Sequence, residues 1–277
     1  MMQTALSAGL AVVAFEKEGS CWSSTVDLDV SIDVGTEWID RYLAERCGED
    51  FAKTNQMPIF GFGASSGGSF VAEVAGATAK KQQEQQEEGG TAKEGFQLAA
   101  INVQIITPHV AIQTPTVFTV MSRDAFTMQG VEHMVSELQR GGIPTLLIKT
   151  QPKRMTAEYL LDRFQNDEQF TKEIAKGIVG DLRRMGAIAE DGELIQNPRS
   201  IDLDPLFAKY PKATTDGGAF GVSSELWEIM TPSERDDASQ LWLVEELNVA
   251  YDQHEITYEK FGDVIGFFFS QSQGTAS

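Results

Sequence analysis

The sequence has few cysteines, few histidines and little positive charge. Its two cysteines, Cys21 and Cys47, cannot build a disulfide framework, and no Cys-x-x-Cys pair indicates a zinc site. A formal net charge of −19 argues against the basic surface that binds nucleic acid or anionic membranes. No apolar run reaches the length of a membrane span, and the first residues lack the basic start of a signal peptide. We therefore expect a protein of a reducing compartment, cytoplasmic by default, with no nucleic-acid partner and no membrane span.

What the sequence does contain is a series of short apolar runs that alternate with helical patterns. Continuous apolar runs of this length are typical of strands that are covered on both faces. Strands are predicted at 10–15, 57–60, 99–106, 116–121 and 144–150, with helices at 33–47, 70–79 and 128–140. This order predicts an α/β fold with a doubly wound, mostly parallel sheet.

Changes in composition divide the 277 residues into three parts. Residues 1–150 form the predicted α/β core, and the Gln- and Glu-rich stretch 80–95 within them is expected to be a disordered insertion. Residues 151–250 show helical patterns without strands and predict a helical cap or lid. Residues 251–277 are predicted to return to the core as a loop and an apolar last helix at 258–269. The helix–helix–"GELI" order within 151–250 also occurs in a winged helix, but the lack of a basic face favours the cap.

The stretch "IFGFGASSGGSFVAEVA" passes from a strand through crowded small residues into a helix. A turn that holds a serine hydroxyl at its apex needs neighbours without bulk, and it leads into a helix whose first amides can stabilise an oxyanion. Ser65 has glycine two residues away on both sides, at Gly63 and Gly67. Ser66 has a glycine two residues away on one side only, at Gly68. Ser65 is therefore the candidate nucleophile, and the Ser66 backbone N–H is the candidate oxyanion donor. A phosphate-binding turn is the alternative, but it lacks the P-loop lysine and the spacing of a dinucleotide site.

A reactive serine needs a base and a group that orients the base. His133 lies among charged neighbours in a predicted helix, where we expect it to be solvated. His109 follows a predicted strand but comes early in the chain. His254 lies in a loop that leads into the last helix. Asp124 follows a buried strand in "TVFTVMSRDAFT" and is the candidate acid, although an aspartate at such a place commonly only caps a turn.

With these residues the chain resembles the α/β-hydrolase superfamily over most of its length. The segments "GASSGG", "SRDAF" and "QHEIT" follow the family's order of nucleophile, acid and histidine. The resemblance implies a serine hydrolase that acts on an ester or related acyl bond of a small molecule, with Ser65, Asp124 and His254 as its triad. It implies no cofactor and no metal. A catalytically inactive, hydrolase-like binding module is the alternative function.

More narrowly, "GSCWSS", "NPRS" and "ELNVAYDQHE" are similar to segments of hydrolase-like proteins of plants and algae. Cys21 and Trp22 lie on the loop after the first predicted strand. Ligands of open α/β sheets bind at the carboxyl ends of strands, so these two residues are candidate pocket residues. The alternative is a packed loop that Trp22 anchors.

Two features depart from the family pattern. Asp124 and His254 are much further apart than the fold requires, so the resemblance implies that residues 151–250 are inserted as a lid after the last strand. The early strands that precede "LAVVAF" in the family, and the His-Gly pair that supplies a second oxyanion amide, are missing from the sequence. The expectation is either an N-terminally truncated relative or a true start upstream of Met1.

Overall fold

The computed structural model describes residues 2–10, 12, 41, 45, 58–87, 98–104, 112–164, 170–210, 243–253 and 256–272. Its strands are β1 (Ile59–Ala64), β2 (Leu98–Gln104), β3 (Thr116–Val120) and β4 (Thr145–Lys149). Its helices are α1 (Met2–Ser7), α2 (Ser66–Glu87), α3 (Ala125–Arg140), α4 (Ala157–Arg163), α5 (Lys172–Arg184), α6 (Asp204–Lys209), α7 (243–251) and α8 (Phe261–Ser272), with a 3-10 turn at Pro198–Ser200.

The chain divides into two compact units. The first comprises Met1–Val120, Ala125–Thr150 and Ile256–Ser277, and the second comprises Met121–Asp124 and Gln151–Glu255. The strands β1 to β4 all belong to the first unit. The second unit is helical, apart from short antiparallel bridges, over the residues that the structure describes.

The first unit is built on a parallel sheet whose strands follow the order β1–β2–β3–β4. Ala64 of β1 pairs with Gln104 of β2, and Val103 of β2 pairs with Phe118 of β3. β3 is buried along its whole length and β2 along nearly all of it, as expected of strands covered on both faces. The predicted α/β class with a parallel sheet is confirmed.

Helices cover both faces of this sheet. Residues of α2 and α3 pack with one face of the strands, to which Ile101, Val103 and Phe118 contribute. Residues of α1 and α8 pack with the other face, where the rings of Phe60 and Phe268 stack with centroids 4.6 Å apart. Because side chains alternate along a strand, neighbouring apolar residues serve opposite faces, which explains the continuous apolar runs in the sequence.

The helix α2 is longer than the sequence predicts. It begins at Ser66, directly after the turn, and continues to Glu87. Disorder for the whole of 80–95 is therefore wrong for its first part, whereas 88–95 lies outside the described residues. The physical reason is that alanine, lysine, glutamine and glutamate all favour helix, and an existing helix is extended at little further cost.

The amino-terminal helix α1 ends at a glycine. Gly9 has φ 81°, in the left-handed region, and the Leu10 N–H donates to the Ala5 carbonyl across 3.0 Å. This is a common helix ending in which glycine reverses the chain. The strand predicted at 10–15 and the helix predicted at 33–47 lie almost wholly outside the described residues.

The second unit has its own apolar core, drawn from α4, α5, α6 and α7. The side chain of Thr156 caps α4 by accepting a hydrogen bond from the Tyr159 N–H, and Thr171 caps α5 in the same way. Leu160, Leu182 and Leu247 are fully buried in this core. The helical pattern that the sequence predicts after residue 150 is therefore present.

A short antiparallel hairpin follows α5. Ile188 bridges Leu194, and Arg154, which precedes α4, bridges Glu193. This order of helices and hairpin also occurs in winged helices. The exposed residues of the hairpin are nevertheless acidic, with Glu190 and Asp191 at its tip, so it offers no basic surface to nucleic acid.

Candidate functional site

The turn between β1 and α2 holds Ser65 in a strained backbone conformation. Its φ is 53°, in the left-handed region, where a residue other than glycine is destabilised by about 1–2 kcal/mol. Ser65 is exposed, and it stands between the last residue of β1 and the first residue of α2. The turn between a strand and a helix that the sequence predicts here is present. Such strain is concentrated at functional sites, because a plain turn would relax it with glycine.

The small residues around Ser65 are required by close backbone approach. A Cβ atom on Gly63 would overlap the carbonyl of Gly67, since the chain folds back on itself around the serine. A Cβ atom on Gly68 would lie 3.0 Å from the Gln104 carbonyl oxygen and 3.2 Å from that of Gly63. The structure therefore explains why glycine occupies these two positions, and Gly67 contributes the backbone against which the turn packs.

The first turn of α2 forms directly on the serine. The carbonyl of Ser65 accepts hydrogen bonds from the N–H groups of Gly68 and Ser69, at 3.0 and 3.2 Å. Ser65 thus lies directly before the helix and accepts its first backbone hydrogen bonds. Its side chain stands at the positive end of the helix dipole, a place that favours developing negative charge.

Gln104 joins this turn to the neighbouring strand and to the segment before α8. Its carbonyl accepts a hydrogen bond of 2.9 Å from the Ser65 N–H. Its side-chain Nε2 donates to the Thr257 carbonyl across 2.8 Å, and its Oε1 accepts from the Thr257 N–H across 3.1 Å. Gln104 and Thr257 are both buried, at 3% and 5% exposure. The segment that follows residue 254 is therefore tied to the strand beside the serine.

A second buried amide lies two residues earlier on the same face of β2. Asn102 donates from Nδ2 to the Val117 carbonyl at 3.2 Å and to the Thr119 hydroxyl at 3.1 Å. Its Oδ1 has no hydrogen-bond partner among the described residues. The end of β2 thus carries two polar side chains in an otherwise apolar strand, and only Gln104 reaches the Thr257 segment.

Asp124 lies at the end of the loop Met121–Asp124, which follows β3. Its side chain is buried, and its N–H donates to the Met121 carbonyl across 3.1 Å. The same loop is held by Asp252, because the Ser122 N–H donates to the Asp252 carboxylate at 2.5 Å and the Arg123 N–H donates to its carbonyl at 3.0 Å. The two residues that precede the predicted acid are therefore fixed by a residue two positions before His254.

Asp252 is itself unusual in conformation. It has φ 65° at the end of α7, a position that glycine usually occupies in such helix endings. The next residue closes the helix, since the Gln253 N–H donates to the Asn248 carbonyl. Only 1% of its surface is exposed. An aspartate tolerates this conformation better than most residues do, and here its carboxylate also supplies a buried acceptor.

The side chain of Arg123 also fixes the loop Met121–Asp124. Its guanidinium lies 4.4 Å above the centre of the Tyr251 ring, donates to the Leu194 carbonyl at 2.9 Å and forms an ion pair of 2.6 Å with Glu193. The loop that carries Asp124 is thus anchored within the second unit by both its backbone and its arginine side chain.

Of the predicted site residues, the structure brings together those of the turn: Gly63, Ser65, Ser66 and Gly67. Asp124 lies in the loop Met121–Asp124 of the second unit. Cys21, Trp22, His109 and His254 lie outside the described residues. His133 is exposed on α3, as its charged neighbours predict.

Sequence reasoning missed Gln104, Asp252 and Thr257. Two polar residues at alternate positions of "AAINVQII" are a signal for Gln104, because a buried strand admits a glutamine only where the amide finds partners. The sequence "YDQHE" likewise carries a signal for Asp252, since an aspartate at a predicted helix end can adopt the left-handed conformation.

Comparison of the chain with protein-family models, with curated proteins and with solved structures finds no match. Within the described ranges, no three histidine, cysteine, aspartate or glutamate side chains gather as a metal site, and no helix is long and apolar enough to cross a bilayer.

Proposed function

We propose that this chain is a serine hydrolase of the α/β-hydrolase type, which cleaves an ester or related acyl bond of a small molecule. The observation that carries the proposal is the strained backbone of the exposed Ser65, at a strand–turn–helix so tight that Gly63 admits no side chain. This is the geometry that presents a nucleophilic hydroxyl beside the amides of a helix amino terminus. No cofactor is required for such chemistry.

The proposed triad is Ser65, Asp124 and His254. His254 removes the proton from the Ser65 hydroxyl as its Oγ attacks the acyl carbon, and Asp124 orients the imidazole. The Ser66 N–H donates to the oxyanion of the tetrahedral intermediate. The imidazolium then gives its proton to the departing alcohol. A water molecule, deprotonated by the same histidine, releases the acid and restores the serine.

Two described contacts support the assignment of His254. Asp252, two residues before it, binds the backbone of the loop that carries Asp124. Thr257, three residues after it, is bound by Gln104, whose carbonyl also binds the Ser65 N–H. The described residues nearest to His254 in the sequence on each side are therefore held in place, Asp252 within the second unit and Thr257 within the first. We further propose that residues 151–250 act as the lid.

The test is covalent labelling of the purified chain with a fluorophosphonate, which reacts only with an activated serine. We expect labelling of the wild-type chain and its loss in Ser65→Ala and His254→Ala. The matched controls are Ser69→Ala, in the same helix, and His133→Ala, an exposed histidine on α3; both should be labelled at the wild-type rate. An unlabelled, folded wild-type chain would overturn the proposal in favour of a non-catalytic binding module.

A further inference from the structure

We infer that Gln104 is a positioning residue of this hydrolase, which ties the segment that begins at Ile256 to the turn that holds Ser65. The inference rests on the proposed function and adds a residue to it. Its basis is one juxtaposition: the Gln104 backbone binds Ser65, while the Gln104 side chain binds Thr257. A single residue thus contacts both the backbone of the proposed nucleophile and the segment that follows the proposed base.

The side-chain amide of Gln104 binds the Thr257 backbone as a neighbouring strand would, because it both donates to the carbonyl and accepts from the N–H. Nε2 donates to the Thr257 carbonyl at 2.8 Å while Oε1 accepts from its N–H at 3.1 Å, so both polar atoms of the amide are used. Both residues are nearly inaccessible to water. Two simultaneous hydrogen bonds fix the orientation of the Thr257 peptide as well as its distance, which a packing contact between apolar side chains would not do.

A glutamine at this buried end of β2 needs hydrogen-bond partners for its amide. The same face carries the apolar residues Ala100 and Val117 as well as the polar residues Asn102 and Thr119, and Gln104 finds its partners in the Thr257 backbone. Thr257 itself offers no side-chain partner to Gln104; only its backbone is bound. The glutamine therefore fixes a loop, and its side-chain bonds serve no regular secondary structure.

The consequence for the reaction follows from the position of the histidine. His254 lies three residues before Thr257, so an anchor at Thr257 limits the places that the imidazole can reach. Proton transfer from Ser65 needs the base within hydrogen-bond reach. Displacing a catalytic group by about 1 Å can lower the rate of reaction by about 100-fold. Releasing the anchor should therefore slow the acylation step and leave binding of the acyl group nearly unchanged.

The test compares Gln104→Met with Asn102→Leu. Methionine keeps the length of the side chain but forms neither hydrogen bond, whereas Asn102→Leu removes the other buried amide of the same face without touching Thr257. We expect the maximal rate of fluorophosphonate labelling to fall by about 10- to 100-fold in Gln104→Met, with the half-saturating probe concentration unchanged. Asn102→Leu should be labelled within about twofold of wild type. A merely structural role would lower the folded fraction of both variants alike.

Two further readouts separate positioning from stability. The pH midpoint of labelling should move in Gln104→Met and not in Asn102→Leu, because only the first alters the surroundings of the base. For Gln104→Glu, the ratio of its labelling rate to the wild-type rate at the same pH should rise as the pH is lowered. A neutral carboxyl can both donate to the Thr257 carbonyl and accept from its N–H, whereas a carboxylate can only accept.

Amide hydrogen exchange at Thr257 tests the anchor without any reaction. Its N–H should exchange faster in Gln104→Met than in the wild-type chain and at the wild-type rate in Asn102→Leu. Equal labelling rates for Gln104→Met and Asn102→Leu, with the wild-type chain active, would overturn the role of Gln104 and leave the hydrolase standing. An unlabelled wild-type chain would overturn the hydrolase and with it any positioning role.

Discussion

The buried carboxylate of Asp252 accepts a hydrogen bond of 2.5 Å from the Ser122 N–H, although 130 residues separate them in the sequence. The contact joins the end of α7 to the loop that follows β3. Asp252 also adopts a left-handed backbone and receives the Arg123 N–H at its carbonyl. Asp252 thus ends a helix, binds the backbone of the loop Met121–Asp124 and lies two residues before His254, the predicted base.

Substitution of Asp252 should separate these roles. Asp252→Ala leaves the Ser122 N–H without its acceptor and places alanine at φ 65°, so we expect the free energy of unfolding to fall by about 2–4 kcal/mol. Asp252→Asn keeps an acceptor and tolerates this backbone, and should lose less than about 1 kcal/mol. Urea unfolding followed by circular dichroism measures both. Equal losses in the two variants would contradict this account of Asp252.

Strain at Ser65 predicts a gain of stability on removing the side chain. Ser65→Gly and Ser65→Ala should both abolish fluorophosphonate labelling, since neither has a hydroxyl. Glycine adopts φ 53° without strain, however, so Ser65→Gly should be more stable than Ser65→Ala by about 1 kcal/mol. Thermal unfolding of the two variants tests this. A more stable alanine variant would show that the turn is not strained.

Glu73 on α2 should make stability depend on pH. Burial raises the pKa of Glu73 above its ordinary value of 4.5. The folded chain therefore binds this proton more tightly than the unfolded chain does, so the glutamate destabilises the fold at neutral pH and ceases to do so as the pH falls below 4.5. Glu73→Gln should raise the unfolding midpoint at pH 7 and leave it unchanged at pH 4. The control is Glu190→Gln, at an exposed glutamate. Its unfolding midpoint should differ from that of the wild type by the same small amount at both pH values.

Breaking the buried ion pair of the second unit should lower the free energy of unfolding far more than breaking an exposed one. Arg163 binds Glu246 through two hydrogen bonds of 2.6 Å, and the two side chains are only 12% and 10% exposed. Glu246→Gln removes the charge that faces the buried guanidinium of Arg163, and we expect the free energy of unfolding to fall by about 3 kcal/mol. Glu137→Gln removes the exposed partner of Arg140 and should cost less than about 1 kcal/mol. Urea unfolding measures both variants, and equal losses of unfolding free energy would contradict this prediction.

The strand β1 shows why boundaries predicted from sequence are displaced. The prediction ended it at residue 60, because Gly61 and Gly63 interrupt the apolar run, yet the strand continues to Ala64. A Cβ atom on Gly61 would lie 2.6 Å from Val71 of α2 and 3.2 Å from Ile101 of β2. Glycine is present because a helix and a strand pack closely there. Sequence periodicity does not contain that information.

The sequence by itself determined what depends on neighbours along the chain. Alternating apolar runs and helical patterns specify the α/β class, and crowded glycines around Ser65 specify a tight turn, since both are local properties of the backbone. Only the tertiary structure decided which distant residues meet. Gln104 reaches Thr257 across 153 residues and Asp252 reaches Ser122 across 130, and no local pattern encodes such pairs. They form because a folded chain must satisfy the polar groups that its core buries.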